Sequence, residues 1–190
     1  MFGSRKSYRS DSVDSPAEKP PTRPKTPEEQ QAALMEYALR ALSARALSAA
    51  ELRGKLAKRS EEEDQIEAVL ERLTELRYLD DSQVARIEGQ RRGVGAYRVR
   101  ARLKQRGVEE ELIAETLQAR DPEEEVEQAR ALLERRLSSI RRGNNPKAKA
   151  YGLLARRGYG GEVIRRVLEG LDWTADAGDE SWLGEEDEGN

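Results

Sequence analysis

Two stretches of this chain concentrate basic side chains in a pattern suited to binding phosphate or an acidic protein surface. Residues 86–106 carry Arg86, Arg91, Arg92, Arg98, Arg100, Arg102, Lys104 and Arg106 against the single acid Glu88. Residues 135–166 carry Arg135, Arg136, Arg141, Arg142, Lys147, Lys149, Arg156, Arg157, Arg165 and Arg166 against Glu162. A solvated helix face usually neutralises itself with acid–base pairs three or four residues apart, and neither stretch is interleaved in that way. Charge of one sign costs self-repulsion, so such fields are expected where an anionic partner supplies the counter-charge. The candidate contacts are Arg91, Arg92, Arg98, Arg100, Arg102, Lys104, Arg106, Arg141, Arg142, Lys147, Lys149, Arg156 and Arg157.

Within the first stretch, Arg98, Arg102 and Arg106 are four residues apart and drift by only about 40° per step around a helix. They are expected to form one outward face, with Val99 and Leu103 turned to the core, so that replacing the arginines leaves the fold intact. Tyr97, Tyr151 and Tyr159 lie beside these bases, placed either to stack on nucleobases or to close the edge of a small helical core.

Other chemistries are excluded by what is missing. The chain has no His and no Cys. It therefore lacks the usual general base near neutral pH, a thiolate nucleophile and the commonest ligands for transition metals. The acidic runs Glu61–Asp64 and Glu123–Glu125 fall where helices are expected to start, and capping explains them better than a metal site. Gly93-Val94-Gly95 begins like a dinucleotide loop, but Arg98 stands where a third Gly belongs, and no Gly-Lys-Ser or Gly-Lys-Thr occurs. No enzyme activity and no cofactor are expected. Without an apolar run of about 18 residues, a cytoplasmic protein is expected.

The elements holding these bases read as helical throughout. Helix starts are signalled at Thr26–Pro27 with Glu29, Ser48 with Glu51, Ser60 with Glu63, and Asp121–Pro122 with Glu124. Apolar residues then recur at helical spacing, as in Ile66, Val69, Leu70, Leu73 and Leu76, and in Val126, Ala129, Leu133, Leu137 and Ile140. About nine helices are expected, and no strand. Residues 1–25 are polar and Pro-rich. Residues 173–190 carry a net charge of −7 without Lys or Arg. Both segments are expected to be disordered.

The helices repeat. Leu56, Arg59, Ile66 and Leu70 share their spacing with Leu103, Arg106, Ile113 and Leu117, and with Leu154, Arg157, Ile164 and Leu168. Three-helix units over 26–77, 78–120 and 121–172 are expected, each a longer helix, a short basic helix and a closing amphipathic helix. One unit alone has too little core, so the three should stack into an elongated, curved all-α array.

The stretch Arg77-Tyr78-Leu79-Asp80-Asp81 with Val84-Ala85, then Gly95, Val99 and Leu103 through Arg106-Gly107-Val108, resembles the central signature of the RecX family. Leu153-Leu154-Ala155-Arg156-Arg157-Gly158-Tyr159 with Val163-Ile164 and Val167-Leu168 is similar to that family's C-terminal pattern. Two positions depart from it: Arg77 stands where the family often has Gly, and Ala96 where it often has Pro. The resemblance covers roughly residues 34–171.

It implies a regulator of the RecA recombinase, acting in homologous recombination, DNA repair and the SOS response. Such a protein lies along the RecA filament on single-stranded DNA and hinders its extension, ATP hydrolysis and strand exchange. Double-stranded DNA is a further candidate partner, and a monomer is expected. A stand-alone DNA-binding regulator using its basic helices is the alternative, and a pure scaffold of helical repeats is a third reading.

Overall fold

The computed structural model describes residues 26–171 and 173. The expected disorder of residues 1–25 and of the acidic C-terminal segment beyond Trp173 lies outside the described residues. Ten helices and no strand occur among those described: α1 (Pro27–Ala44), α2 (Ala49–Leu56), α3 (Glu63–Glu75), α4 (Asp81–Gly89), α5 (Ala96–Gln105), α6 (Glu110–Gln118), α7 (Pro122–Glu134), α8 (Leu137–Arg141), α9 (Pro146–Arg156) and α10 (Gly161–Glu169).

Local chemistry sets most starts. Thr26 and Ser48 each form a reciprocal capping box, accepting from the amides of Glu29 and Glu51 while those carboxylates accept from the cap amides. Asp121 caps α7 at the Glu123 amide, 2.9 Å away, with Pro122 in the first turn. Ser60 does not start α3 as expected. Its hydroxyl accepts from Glu62 N instead, and the helix begins at Glu63.

The tenth helix corrects the expected count of about nine. The stripe Val126–Ile140 read as one helix, but the chain breaks after Glu134, with Arg136 at φ −122° and ψ 2°, and α8 follows as a separate turn. The break lets Ile140 bury in the third core beside Ala150 and Leu154 of α9. The expected order of a longer helix before a short basic one also fails in the middle unit, where α4 spans 9 residues and α5 spans 10.

Three apolar cores lie in sequence order. Leu34, Leu52, Leu56, Ile66 and Leu73 centre the first, Val84, Val99, Leu103 and Ile113 the second, and Leu133, Leu154, Ile164 and Val167 the third. The repeat positions Leu56, Leu103 and Leu154 are fully buried, as are Ile113 and, within 1%, Ile66 and Ile164. The cores interlock at their edges. Leu79 buries in the first core although it follows α3, and Ala46 packs against the second although it precedes α2.

The C-terminal end of α5 meets the N-terminal end of α2, and the C-terminal end of α9 meets the N-terminal end of α5. Helices α3, α5 and α9 end in the same loop, with the residue after the C-cap in the left-handed region: Arg77 (φ 59°), Gly107 (φ 73°) and Gly158 (φ 83°). At α3, Tyr78 N donates to Leu73 O at 2.9 Å and Arg77 N to Thr74 O at 2.9 Å. A side chain at φ > 0 costs about 1 kcal/mol relative to Gly. Arg77→Gly should therefore raise the midpoint of thermal unfolding by about 2 °C, read by circular dichroism. No rise would mean that the arginine side chain stabilises the turn in compensation.

Candidate anion-binding surface and the joints that frame it

Five of the seven arginines of the first basic stretch hold partners within the chain, and two of these, Arg98 and Arg106, serve the joints between units. The Arg106 side chain is 16% exposed, and its guanidinium donates to Ala46 O at 2.7 Å and to Glu51 Oε2 at 2.8 and 3.1 Å. It also lies 3.6 Å from Glu88. The backbone carbonyl of Arg106 accepts the Ser48 hydroxyl, and Ala49 N donates to Asp81 Oδ1 at 2.8 Å. The C-terminal end of α5 is thus fastened to the N-terminal end of α2.

Glu88 is 10% exposed and collects Arg91 at 3.2 Å and Arg102 at 3.5 Å as well. Arg100 pairs with Glu110. The expected outward face of Arg98, Arg102 and Arg106 is therefore corrected. Arg106 and Arg102 turn toward carboxylates of the first joint and of α4, and only Arg98 is exposed. The 40° drift per step, accumulated over two steps, carries Arg106 to the side of the helix that meets the preceding unit.

Glu51 titrates accordingly. Burial alone would raise its carboxyl, but the Arg106 guanidinium, the Ser48 amide and Arg45 outweigh that and hold it at about 2.

The second joint repeats the first with backbone in place of side chains. Gly95 N donates to Arg157 O and Tyr97 N to Gly158 O, each at 3.0 Å, while the Arg98 guanidinium donates to Arg156 O at 2.9 Å. Ala96 N donates to Glu125 Oε1 at 2.8 Å. A proline at residue 96 would have no proton to give, so this departure from the family pattern supplies a bond. Glu125 is a buried carboxylate that caps α5 rather than serving only its own helix, as the capping expectation for Glu123–Glu125 had it. Arg120 completes the strut, donating to Val94 O at 2.9 Å and lying 4.0 Å from Glu125.

Gly158 makes this joint possible. A Cβ there would overlap the Arg98 backbone, and φ 83° disfavours any L side chain. Gly158→Ala should cost roughly 2–4 kcal/mol in denaturant unfolding. Gly161→Ala, where a Cβ meets nothing within 4 Å, is the control and should be close to neutral. Equal effects would remove the joint as the cause.

The second basic stretch divides in two. On α10, Arg165 pairs with Glu162 at 2.6 Å and Glu169 at 2.8 Å, and Arg166 pairs with Glu123 at 2.7 Å. Over α8–α9, residues 135–157 hold eight bases and no acid. Among the described residues, Arg142, Lys147, Lys149, Arg156 and Arg157 are exposed and make no ion pair, and Arg141 is half-buried. Arg92 and Lys104 of the first stretch are likewise exposed without an ion pair. Arg98, tied to Arg156 O, joins the two groups.

Tyr97 and Tyr151 stand 69% and 52% exposed beside this surface, whereas Tyr159 is buried in the third core. Burial, then Glu125, pushes the Tyr159 hydroxyl above its ordinary range. A groove of about 740 Å³ between α4, α6 and α7 is lined by Arg86, Arg92, Glu115 and Glu124. Both signs face it, which suits a mixed protein surface better than a polyanion. Among the described residues, no group of His, Cys, Asp or Glu is arranged to hold a metal, and no helix is long and apolar enough to cross a membrane.

Sequence reasoning missed Glu51, Glu88, Arg120 and Glu125 as joint residues. The signal available was Glu88 itself, the lone acid in a run of arginines.

The profile of the first RecX three-helix domain matches residues 35–73, and that of the third matches residues 123–168. The regulatory protein RecX of Deinococcus radiodurans is 53% identical over 164 residues, covering 86% of this chain and 80% of that one. This chain belongs to the RecX family. Its Thermus thermophilus relative, also a regulatory protein RecX, is 42% identical over 125 residues, spanning 65% of this chain and 81% of the other. The crystal structure of RecX from Lactobacillus salivarius superposes with a TM-score of 0.69 over 75% of this chain and 96% of its own, at 18% identity. That likeness bears on the fold alone, an all-helical RecX stack. RecX proteins are regulatory proteins, and the uncompensated α8–α9 bases are read below in that light.

Proposed function

We propose that this RecX chain modulates a RecA recombinase by binding its filament on single-stranded DNA, restraining extension, ATP hydrolysis and strand exchange. It acts as a cytoplasmic monomer and catalyses nothing itself. The acid-free α8–α9 surface carries the reading: its Arg142, Lys147, Lys149, Arg156 and Arg157 make no ion pair among the described residues, unlike many other arginines of the chain, so phosphate or acidic side chains are their natural counter-charge. Arg98, Arg142, Lys147, Lys149, Arg156 and Arg157 are the first candidates, with Arg92 and Lys104 beside them. Arg91, Arg100, Arg102 and Arg106 already hold carboxylates of this chain and rank below them. The three units 26–77, 78–120 and 121–172 would then present one long surface to the filament, kept in register by the two joints.

The test is ATP hydrolysis by the cognate recombinase on single-stranded DNA while this protein is titrated in. Hydrolysis should fall severalfold by an equimolar ratio, and the protein alone should hydrolyse none. An unchanged rate at equimolar protein would refute the proposal.

A further inference from the structure

The α8–α9 surface lacks counter-charge among the described residues, yet the same chain carries an anion of matching size. Residues 174–190 include seven carboxylates between Asp176 and Glu188 and no base. They begin directly after Trp173, whose indole Nε1 donates to Leu168 O at 2.9 Å and whose ring packs on the third core. That core is closed on another side by Ala150 and Leu154 of α9. The acidic segment therefore starts on the unit that bears the unpaired bases.

We propose that residues 174–190 dock on the basic surface of α8–α9 and hold it until another polyanion displaces them.

Geometry permits this. A segment of 17 residues reaches at most about 60 Å, and the chain from the anchor to Asp176 and Glu180 spans at most about 25 Å. Tethering raises the local concentration of the carboxylates to the millimolar range, so weak ion pairs suffice. Arg165 and Arg166 of α10 already hold Glu162, Glu169 and Glu123. Arg142, Lys147, Lys149, Arg156 and Arg157 form an uncompensated group on this same unit. The contact needs no recombinase and does not depend on the RecA reading.

Carbodiimide coupling tests it on the full chain, because it joins carboxylates directly to lysine amines and Lys147 and Lys149 lie at the centre of the surface. At about 20 mM salt, peptide mass spectrometry should find the acids of 176–188 joined to Lys147 and Lys149 at least fivefold more than to Lys55 and Lys58. The excess should vanish near 0.5 M salt, where charges more than about 4 Å apart are screened. Equal coupling at all four lysines, or coupling indifferent to salt, would overturn the docking.

An oligothymidylate of about 30 nucleotides added before coupling should suppress the Lys147 and Lys149 products. If those products formed with their salt dependence but the oligonucleotide left them unchanged, the docking would stand and the nucleic-acid reading of this surface would fall. Changing the seven acids to their amides should tighten oligothymidylate binding on the order of tenfold at low salt. Unchanged affinity in a variant that still binds the oligonucleotide would also overturn the docking.

Discussion

Arg106→Ala is expected to remove about 3 kcal/mol of folding stability at neutral pH, although Arg106 belongs to a run of bases whose sequence reads as an outward, anion-binding face. Its guanidinium is one partner of a mostly buried ion pair with Glu51, and it also satisfies the Ala46 carbonyl. Removing one member of such a pair leaves a desolvated charge without its counter-ion, at a cost near the low end of 3–5 kcal/mol for a group 16% exposed. For a chain of this size the unfolding midpoint should fall by roughly 6–12 °C.

The pH dependence identifies the partner. Glu51 is held at about 2 in the folded chain against an ordinary value near 4.5. A depressed carboxyl contributes stability above its unfolded pKa and loses it as pH falls through the folded one. The gap between the parent and Arg106→Ala should thus be full above about pH 4.5 and close progressively toward about pH 2. Denaturant midpoints at several pH values measure it. Lys104→Ala, on the same helix but exposed and without an ion pair, should change stability by less than about 0.5 kcal/mol. Equal midpoints for Arg106→Ala and the parent protein would remove the first joint as a source of stability.

The other large effect concerns binding. Replacing Arg142, Lys147, Lys149 and Arg156 together by Ala should leave helical content unchanged, since all four are exposed and none holds a described carboxylate. If each contributes one phosphate contact, the slope of log affinity against log salt on single-stranded DNA should drop by about 2.8. At about 0.1 M salt that corresponds to roughly 600-fold weaker binding. Arg165→Ala with Arg166→Ala removes two charges that Glu162, Glu169 and Glu123 already neutralise, so the slope should move by less than about one unit. A quadruple variant with unaltered slope and full effect on the recombinase would relocate the contact to Arg92, Arg98 and Lys104.

The sequence by itself determined the helices, their caps and the repeat, because these depend on neighbours within one or two turns. Thr26 and Ser48 cap as their spacing with Glu29 and Glu51 requires, and Leu56, Leu103 and Leu154 bury as the repeat pattern requires. Ser60 did not cap, and the Val126–Ile140 stripe broke in two; there, packing of Ile140 against α9 outweighed the local pattern.

Which bases remain available was decided by tertiary structure alone. Both basic stretches look alike in the chain, since each contains one acid. Yet Arg106 finds Glu51 across 55 residues, and Arg166 finds Glu123 across 43. An ion pair depends on a separation of about 4 Å in space, which the spacing of residues along a helix cannot report for partners on different helices. Packing of helices within and between the units brings the carboxylates of α2, α4 and α7 to Arg106, Arg102 and Arg166, and brings none of the described acids to Arg142, Lys147, Lys149, Arg156 and Arg157.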